Sequence, residues 1–571
     1  MTLTLRKGLA LILALTWTIP RALSAAASPG AGDAEPPRLI YTDVVAGPAR
    51  GGENDQGAYL SLFGMHFGRE GLGKRVKVYI GRDEAGAYRY LGVSRGRNDI
   101  DQITVQVGQL RSAAAGDVLP IRIIVDGRIS NIDHTFRVQP GNFLYVDNER
   151  GNDATAKLND PMHPWQHVQT PDARGGALGA AHPGDFVILR GGDTPYSDLG
   201  RNERWFRFRF TTGSAPTGAQ GTGYIAIVAY PGETVRYTPP PGSYGGIHGI
   251  DGVEYPGFSS WIVISGLVIE GGGRDVRDAP INLQARSNHW RIVNNEIGPW
   301  AAEDGSHGPE ARAGGISGNG RDLRILGNHI RDIGGGALNH CIYLDTGSAD
   351  VEIAYNQIEH CMGGNIIQTY DNLGSGDLSG ISIHHNLMHD GNRFGLNIAD
   401  GTRSARIWNN IVYSTRLASL RLHVERSAPA DLIVEYNTFA RPNLREGARQ
   451  AAVLNDGTLR GRALIMNNLF IIDADSRTQS LFNNTTEDAI ALRRNYWYVS
   501  NGLRQSAPDS DRPQRRGNPL KRPARAGDFQ LLPAGPASGA AAGESVADDF
   551  SFRARPRSGA SIGALQCCTQ P

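Results

Sequence analysis

From Val351 to Gly401 the chain reads VEIAYNQIEHCMGGNIIQTYDNLGSGDLSGISIHHNLMHDGNRFGLNIADG. An apolar–polar alternation, an Asn, an apolar pair, a glycine-rich corner and a second short alternation are written, and then written again about thirty residues later. Alternation with a period of two predicts short strands, and the longer period is that of one structural repeat. Asparagines fall at equivalent points of successive repeats: Asn295, Asn328, Asn356, Asn386, Asn410, Asn437, Asn468 and Asn495. Their spacings of 33, 28, 30, 24, 27, 31 and 27 residues predict stacked β-coils with loops of unequal length. One coil cannot bury residues such as Ile353 and Ile358, whereas a stack of coils encloses them in a continuous core. At a tight corner an Asn can adopt a left-handed conformation and hydrogen-bond to the next Asn in a ladder, so these asparagines are structural rather than catalytic.

Before the repeat, from Pro37 to Pro140, runs such as AYLSLFGMHFG, RVKVYIG, QITVQVG and IRIIVDGRISN are separated by Gly, Asn and Asp turns, the pattern of an antiparallel β-sandwich. GGENDQGAYLSLFGMHFG, VKVYIG and IVDGRISNIDHTFRV resemble the IPT/TIG immunoglobulin-like family. That resemblance implies a binding or spacing domain, with His66 and His134 as turn or surface residues. The entry FLYVDNERGNDATAKLNDPMHPWQHVQT, the segments AAHPGDFVILRGGDTPYSD and YIAIVAYPGETV, and the endings DFQLLPAGPASG and DFSFRARPRSGASIGALQ resemble right-handed parallel β-helices of the pectate-lyase-like superfamily. The expected fold is therefore all-β: a signal peptide over residues 1–27, a sandwich over 37–140, a right-handed parallel β-helix over 142–566 and a tail over 567–571. The β-helix superfamily hosts lyases, hydrolases, epimerases and binding proteins, so the fold leaves the chemistry open.

Composition adds little to this picture and contradicts none of it. The chain has 571 residues, 73 of them glycine, and only 20% are charged, which suits a turn-rich β protein. A net charge of +1 gives no global reason to expect nucleic acid. Arg6 and Lys7 followed by GLALILALTWTIP and ALSAAAS have the layout of a secretory signal. A secreted or periplasmic protein without an integral membrane segment is expected. Cys341 and Cys361 lack metal-site spacing and are read as two buried thiols, although a bridge between neighbouring turns stays open; Cys567 and Cys568 are assigned to a mobile tail.

The working face is sought on the strand after each glycine-rich corner. Taking Leu283, Ile342, Leu344, Ile367, Leu396, Ile398, Leu420 and Leu422 as inward places two columns outward. The first is Asn282, Ser317, Tyr343, Gln368, Asn397 and Arg421. The second is Gln284, Asn319, Asp345, Tyr370, Ala399, His423 and Asn455. Amides, aromatics and a few ionisable groups on one face suit a saccharide groove, with an acidic polysaccharide as partner and the protein acting as a monomer. The chemistry such a set can run is β-elimination of a uronate polymer: Arg421 neutralises the carboxylate, His423 takes the C5 proton, and Tyr370 or Tyr343 protonates the leaving oxygen. Asn282, Gln284, Gln368, Asn397 and Asn455 would line the sugar, with Asp345 beside them. No cofactor is required by these residues. Calcium could be drawn only from Asp345, Asp371 and Asp400, of which the last two read as turn residues. His340, His384, His385 and His389 are no better placed for a metal, and the HH pair His384–His385 beside the ladder Asn reads as a strand edge rather than a metal site. A hydrolase pairing Asp345 with Asp371 or Asp400, a C5-epimerase and a non-catalytic adhesive surface are the alternatives. The long polar loop from Pro299 to Gly315 is expected to overhang the groove.

Overall fold

The computed structural model describes residues 35–68, 70–170, 175–197, 214–216, 223–239, 246–249, 260–271, 279–283, 287–300, 314–375, 377–423, 430–445, 451–456, 462–484, 490–503, 517–543 and 546–567. The expected signal segment, Gln284, most of the Pro299–Gly315 loop and Cys568 lie outside the described residues.

The repeat folds as predicted, into a solenoid of three parallel sheets. One coil shows the plan: Ala349–Ala354 lies in the first sheet, Gln357–Cys361 in the second and Ile367–Tyr370 in the third, before Leu378–His384 returns to the first. Each strand pairs in register with its equivalent one coil on, as in Ile353 with Ile383, Ile358 with Met388 and Ile367 with Leu396. One apolar core runs through the stack from Leu144 to Trp497, and Leu283, Ile342, Leu344, Ile367, Leu396, Ile398, Leu420 and Leu422 all belong to it. No described helix is long and apolar enough to cross a membrane.

The corner between the first and second sheets is the asparagine ladder. From Asn295 to Asn495 each Nδ2 donates to the Oδ1 of the next Asn at 2.9–3.0 Å. Each Nδ2 also reaches a strand carbonyl, for example that of Ile325 from Asn356 at 2.9 Å. Left-handed conformation falls one residue earlier than expected, on Asn294, Gly327, Tyr355, His385, Asn409, Tyr436, Asn467 and Arg494. The preceding residue makes the turn, which leaves the Asn amide pointing inward along the stack.

Those left-handed residues serve as a docking line. In the N-terminal region Arg38–Thr42, Tyr59–Met65, Asp101–Gln106 and Ala87–Val93 form one sheet, and a second sheet is built around Val118–Val125. Their shared core extends to Phe143, Tyr145, Phe186 and Ile188 on the outside of the solenoid's first sheet. This explains why FLYV and FVIL are apolar on both faces: Leu144 and Val146 fill the solenoid while Phe143 and Tyr145 fill the junction. Tyr41 stacks on Tyr355 with ring centroids 5.0 Å apart, and the Gly96 N–H donates to the Gly327 carbonyl at 2.9 Å. A Cβ at Gly327 would lie 2.0 Å from the Tyr41 hydroxyl, so this corner alone needs glycine for close approach as well as for its φ of 61°.

Three expectations are corrected. Cys341 and Cys361 form a disulfide that ties the end of a second-sheet strand to the start of the preceding third-sheet strand. Cys567 is buried rather than part of a loose tail. Among the described residues the closing motifs add no coil after Tyr496–Val499. Instead Phe529, Leu531 and Ile562 cover Ile411, Leu469, Ile471 and Tyr496 on the second sheet, because that outward face is apolar and needs a lid.

Candidate functional site

Alternation along the third-sheet strands sends every second residue outward, and the pairing fixes which ones meet. Asn282, Ser317, Tyr343, Gln368, Asn397 and Arg421 stand in register on successive strands. In the second column Asp345 is opposite Tyr370. His423 is opposite Asp456, and Asn455 is opposite the inward Leu422. Asn455 is thus buried and does not line the outer face as expected. The slip of one residue arises because Ala451–Asp456 has no exposed alternate positions from which register could be read.

The correction brings Asp456, absent from both predicted columns, into the centre of the site. Arg421 Nη2 and Nε donate to Asp456 Oδ2 at 2.6 and 3.1 Å. His423 Nδ1 lies 2.9 Å from Asp456 Oδ1 and 2.8 Å from Arg421 Nη2. The three side chains are mostly buried, at 17, 15 and 10% exposure for Arg421, His423 and Asp456. Burial alone would raise the Asp456 pKa, but the hydrogen bonds from His423 and Arg421 outweigh it and hold the carboxyl below its usual range. One imidazole nitrogen cannot donate to Asp456 and accept from Arg421 at once. With Nδ1–H on the carboxylate, Nε2 carries the lone pair and can act as a base. Phe394 supports the guanidinium from one side, with Cζ 4.7 Å from the ring centroid.

The other predicted residues form separate groups. Asn372 Nδ2 bridges Tyr343 and Asp345, at 2.6 Å to the hydroxyl and 2.9 Å to Oδ1. Tyr343 stands three strands from Arg421, about 14 Å along the stack. Tyr370 is two strands from His423, about 10 Å, with the buried Ala399 between them. Gln368 Oε1 accepts from Asn397 Nδ2 at 2.9 Å and from Asn365 Nδ2 at 2.5 Å, while Asn397 Oδ1 is buried without a donor. His340 Nδ1 accepts the Asn365 N–H at 2.8 Å, and burial together with the Arg393 charge pushes its pKa down to about 3. Residues of this loop, absent from both predicted columns, reach the groove from the corner between the second and third sheets.

Among the described residues calcium finds no fitting donor set. Asp371 and Asp400 are fully buried, and Asp371 Oδ1 accepts from Thr346 Oγ1 at 2.8 Å and from the Leu373 N–H at 3.2 Å. No three His, Cys, Asp or Glu side chains converge as metal ligands among the described residues. His384 and His385 are buried at the docking line, where His385 Nε2 is 3.0 Å from the Asp549 carbonyl.

No family model matches this chain, and no curated protein matches it. Among solved structures it is similar to pectate lyase Pel9A, at 10% identity over 75% of this chain and 97% of that one, with a TM-score of 0.41. It is also similar to a rhamnogalacturonan lyase, at 12% identity over 62% and 87% of the two chains, with a TM-score of 0.33. The parallel β-helix rests on the strand pairing described above, and the site on its own geometry.

Proposed function

We propose that the protein is a polysaccharide lyase that cleaves a uronate-containing chain by β-elimination on the outer face of the third sheet. The observation that carries this reading is the Asp456–His423 contact beside Arg421, which couples an oriented imidazole to a cation. In the reaction His423 Nε2 takes the C5 proton, and the resulting negative charge spreads onto the uronate carboxylate, where a guanidinium stabilises it. The C4–C5 double bond then forms as the C4–O bond breaks, and the leaving oxygen receives a proton from an acid. Tyr370 is the nearer of the two candidate acids, since Tyr343 is held by Asn372 three strands away. A hydrolase pairing Asp345 with Asp371 or Asp400 is disfavoured, because both partners are sealed from the surface.

A binding surface without reaction is the second reading. It is favoured by the double hydrogen bond from Arg421 to Asp456, which occupies the guanidinium edge that a substrate carboxylate would use. In either case the sandwich, resembling the IPT/TIG type, acts as a rigid buttress of an exported monomer. The deciding experiment incubates the purified protein with alginate, pectate, glycosaminoglycans and bacterial exopolysaccharides. Ultraviolet absorbance of an unsaturated uronate marks the lyase. New reducing ends without that absorbance mark a hydrolase, and retention on a polysaccharide gel with neither signal marks a binding protein.

A further inference from the structure

Arg393 sits in the loop that leads from the second sheet into the strand Leu396–Ile398. Successive coils place arginines in this same loop. The Leu417 N–H donates to the Arg393 carbonyl at 3.1 Å, and the Arg445 N–H to the Arg416 carbonyl at 3.2 Å. Four other half-buried arginines of the solenoid are matched by carboxylates: Arg331 by Glu296, Arg406 by Glu435, Arg421 by Asp456 and Arg441 by Asp473, while Arg291 donates to the carbonyls of Asp43 and Thr42. The Arg393 guanidinium is also half-buried, yet it makes no hydrogen bond or ion pair among the described residues.

Its charged neighbours are of the same sign. Burial first, and then the charges of Arg421 and Arg445, pull the Arg393 pKa below its ordinary value. His340, which feels the Arg393 charge, is kept neutral by burial and by that charge and offers no counter-charge. A partly desolvated cation that faces further cations is costly to the resting protein and is relieved by an arriving anion. The strand that this loop enters carries Asn397, whose Nδ2 fills the Gln368 Oε1 together with that of Asn365, so that the Gln368 Nε2 remains to donate.

We propose that Arg393 is the anion-gripping subsite of the groove, taking a carboxylate or sulfate of an acidic saccharide while Arg421 stays clamped by Asp456. This deepens the groove assignment and rests on it for location, but it requires no reaction. It moves the carboxylate-binding role away from Arg421, whose charge is already answered, to a guanidinium whose charge is not. Carboxylate and sulfate share the required planar or trigonal array of acceptor oxygens, and a guanidinium can grip either one.

The test is calorimetric titration of wild type, Arg393→Gln and Arg393→Lys with two probes, a uronate tetrasaccharide and a sulfated galactan oligosaccharide that lacks carboxylates. Wild type should bind at least one of them, more weakly as salt rises. Arg393→Gln should raise its Kd by about tenfold or more and flatten the salt dependence, with Arg393→Lys between the two. The probe that shows this pattern identifies carboxylate or sulfate as the natural group. The melting temperature of Arg393→Gln should hold or rise, since an unanswered charge has been removed; a merely structural arginine would lower it. Equal affinity of wild type and Arg393→Gln for both probes overturns the assignment, as does the absence of wild-type binding to either. Binding with the expected Arg393 dependence but no elimination product would leave this subsite standing and sink only the lyase.

Discussion

At the corner between the first and second sheets the same residue recurs from Asn295 to Asn495, each amide bonded to its equivalent in the next coil. On the outer face of the third sheet the residues in register are Tyr343, Gln368, Asn397 and Arg421, all of them different. Both columns are parts of one solenoid and obey the same pairing. Repetition at the corner stacks identical donors and acceptors, so each added coil satisfies the one below it. Variety on the face cannot stabilise by stacking like on like. Its side chains bond to unlike partners instead, as Asp456 does to His423 within its own column and to Arg421 in the other. In a repeat protein the column that stops repeating is where chemistry can be sought.

The comparison is broken most directly at the face. His423→Ala should keep its melting temperature and lose turnover by about a hundredfold or more, the usual worth of a positioned base. Asp456→Asn should lose turnover without unfolding, and it should alter the pH profile of kcat, because the imidazole tautomer is no longer set by a carboxylate. Steady-state rates of product absorbance check both. Normal activity in both variants would place the chemistry elsewhere on the solenoid.

At the corner the opposite outcome is expected. The Asn386 side chain accepts from Asn356 N and Nδ2 at 3.0 and 2.9 Å, and donates to Asn410 Oδ1 at 2.9 Å and to the Ile353 carbonyl at 2.8 Å. Asn386→Asp replaces that donor with an oxygen facing acceptors, which should cost about 3 kcal/mol. Urea unfolding measures the loss, while substrate affinity in the folded fraction should stay as in wild type.

A covalent tie separates the two regions. The Cys341–Cys361 bond closes a segment of sequence separation 20 at the entrance to the third sheet. Cys361→Ser should lower stability by about 2–3 kcal/mol, and wild type treated with a reductant should converge on the same melting temperature.

The smallest effect is expected on the second sheet. His389 packs between Asp390, Glu359 and the Tyr413 ring, with His360 nearby and His329 on the far side of Glu359. Burial disfavours its charge, but the hydrogen bonds to Asp390 and Glu359 prevail and raise its pKa to about 9. The folded value lies above the unfolded value of about 6.5, so this contribution is complete below that pH and is lost as pH rises through 9. His389→Gln should flatten the decline of melting temperature over that alkaline interval.

The period, the ladder and the inward face can all be read from the amino-acid order alone. Eight equivalent asparagines and alternating aliphatics are local signals, repeated often enough that a misreading in one coil is corrected by the others. The outward column was equally legible from Asn282 to Arg421, because those strands alternate cleanly. It is lost at AAVLND, where Ala451 and Leu454 pack against Phe394 and Ala418, so alternation disappears and Asp456 rather than Asn455 stands opposite His423. Only the tertiary structure decided what meets across coils: the union of Cys341 with Cys361, the return of the C-terminal segment over the second sheet, and the seating of Tyr41 against Tyr355. The same holds for Arg393, although arginines recur in its loop on successive coils. Its significance depends on which charges surround it in space, and a solenoid sets that by stacking segments far apart in the chain.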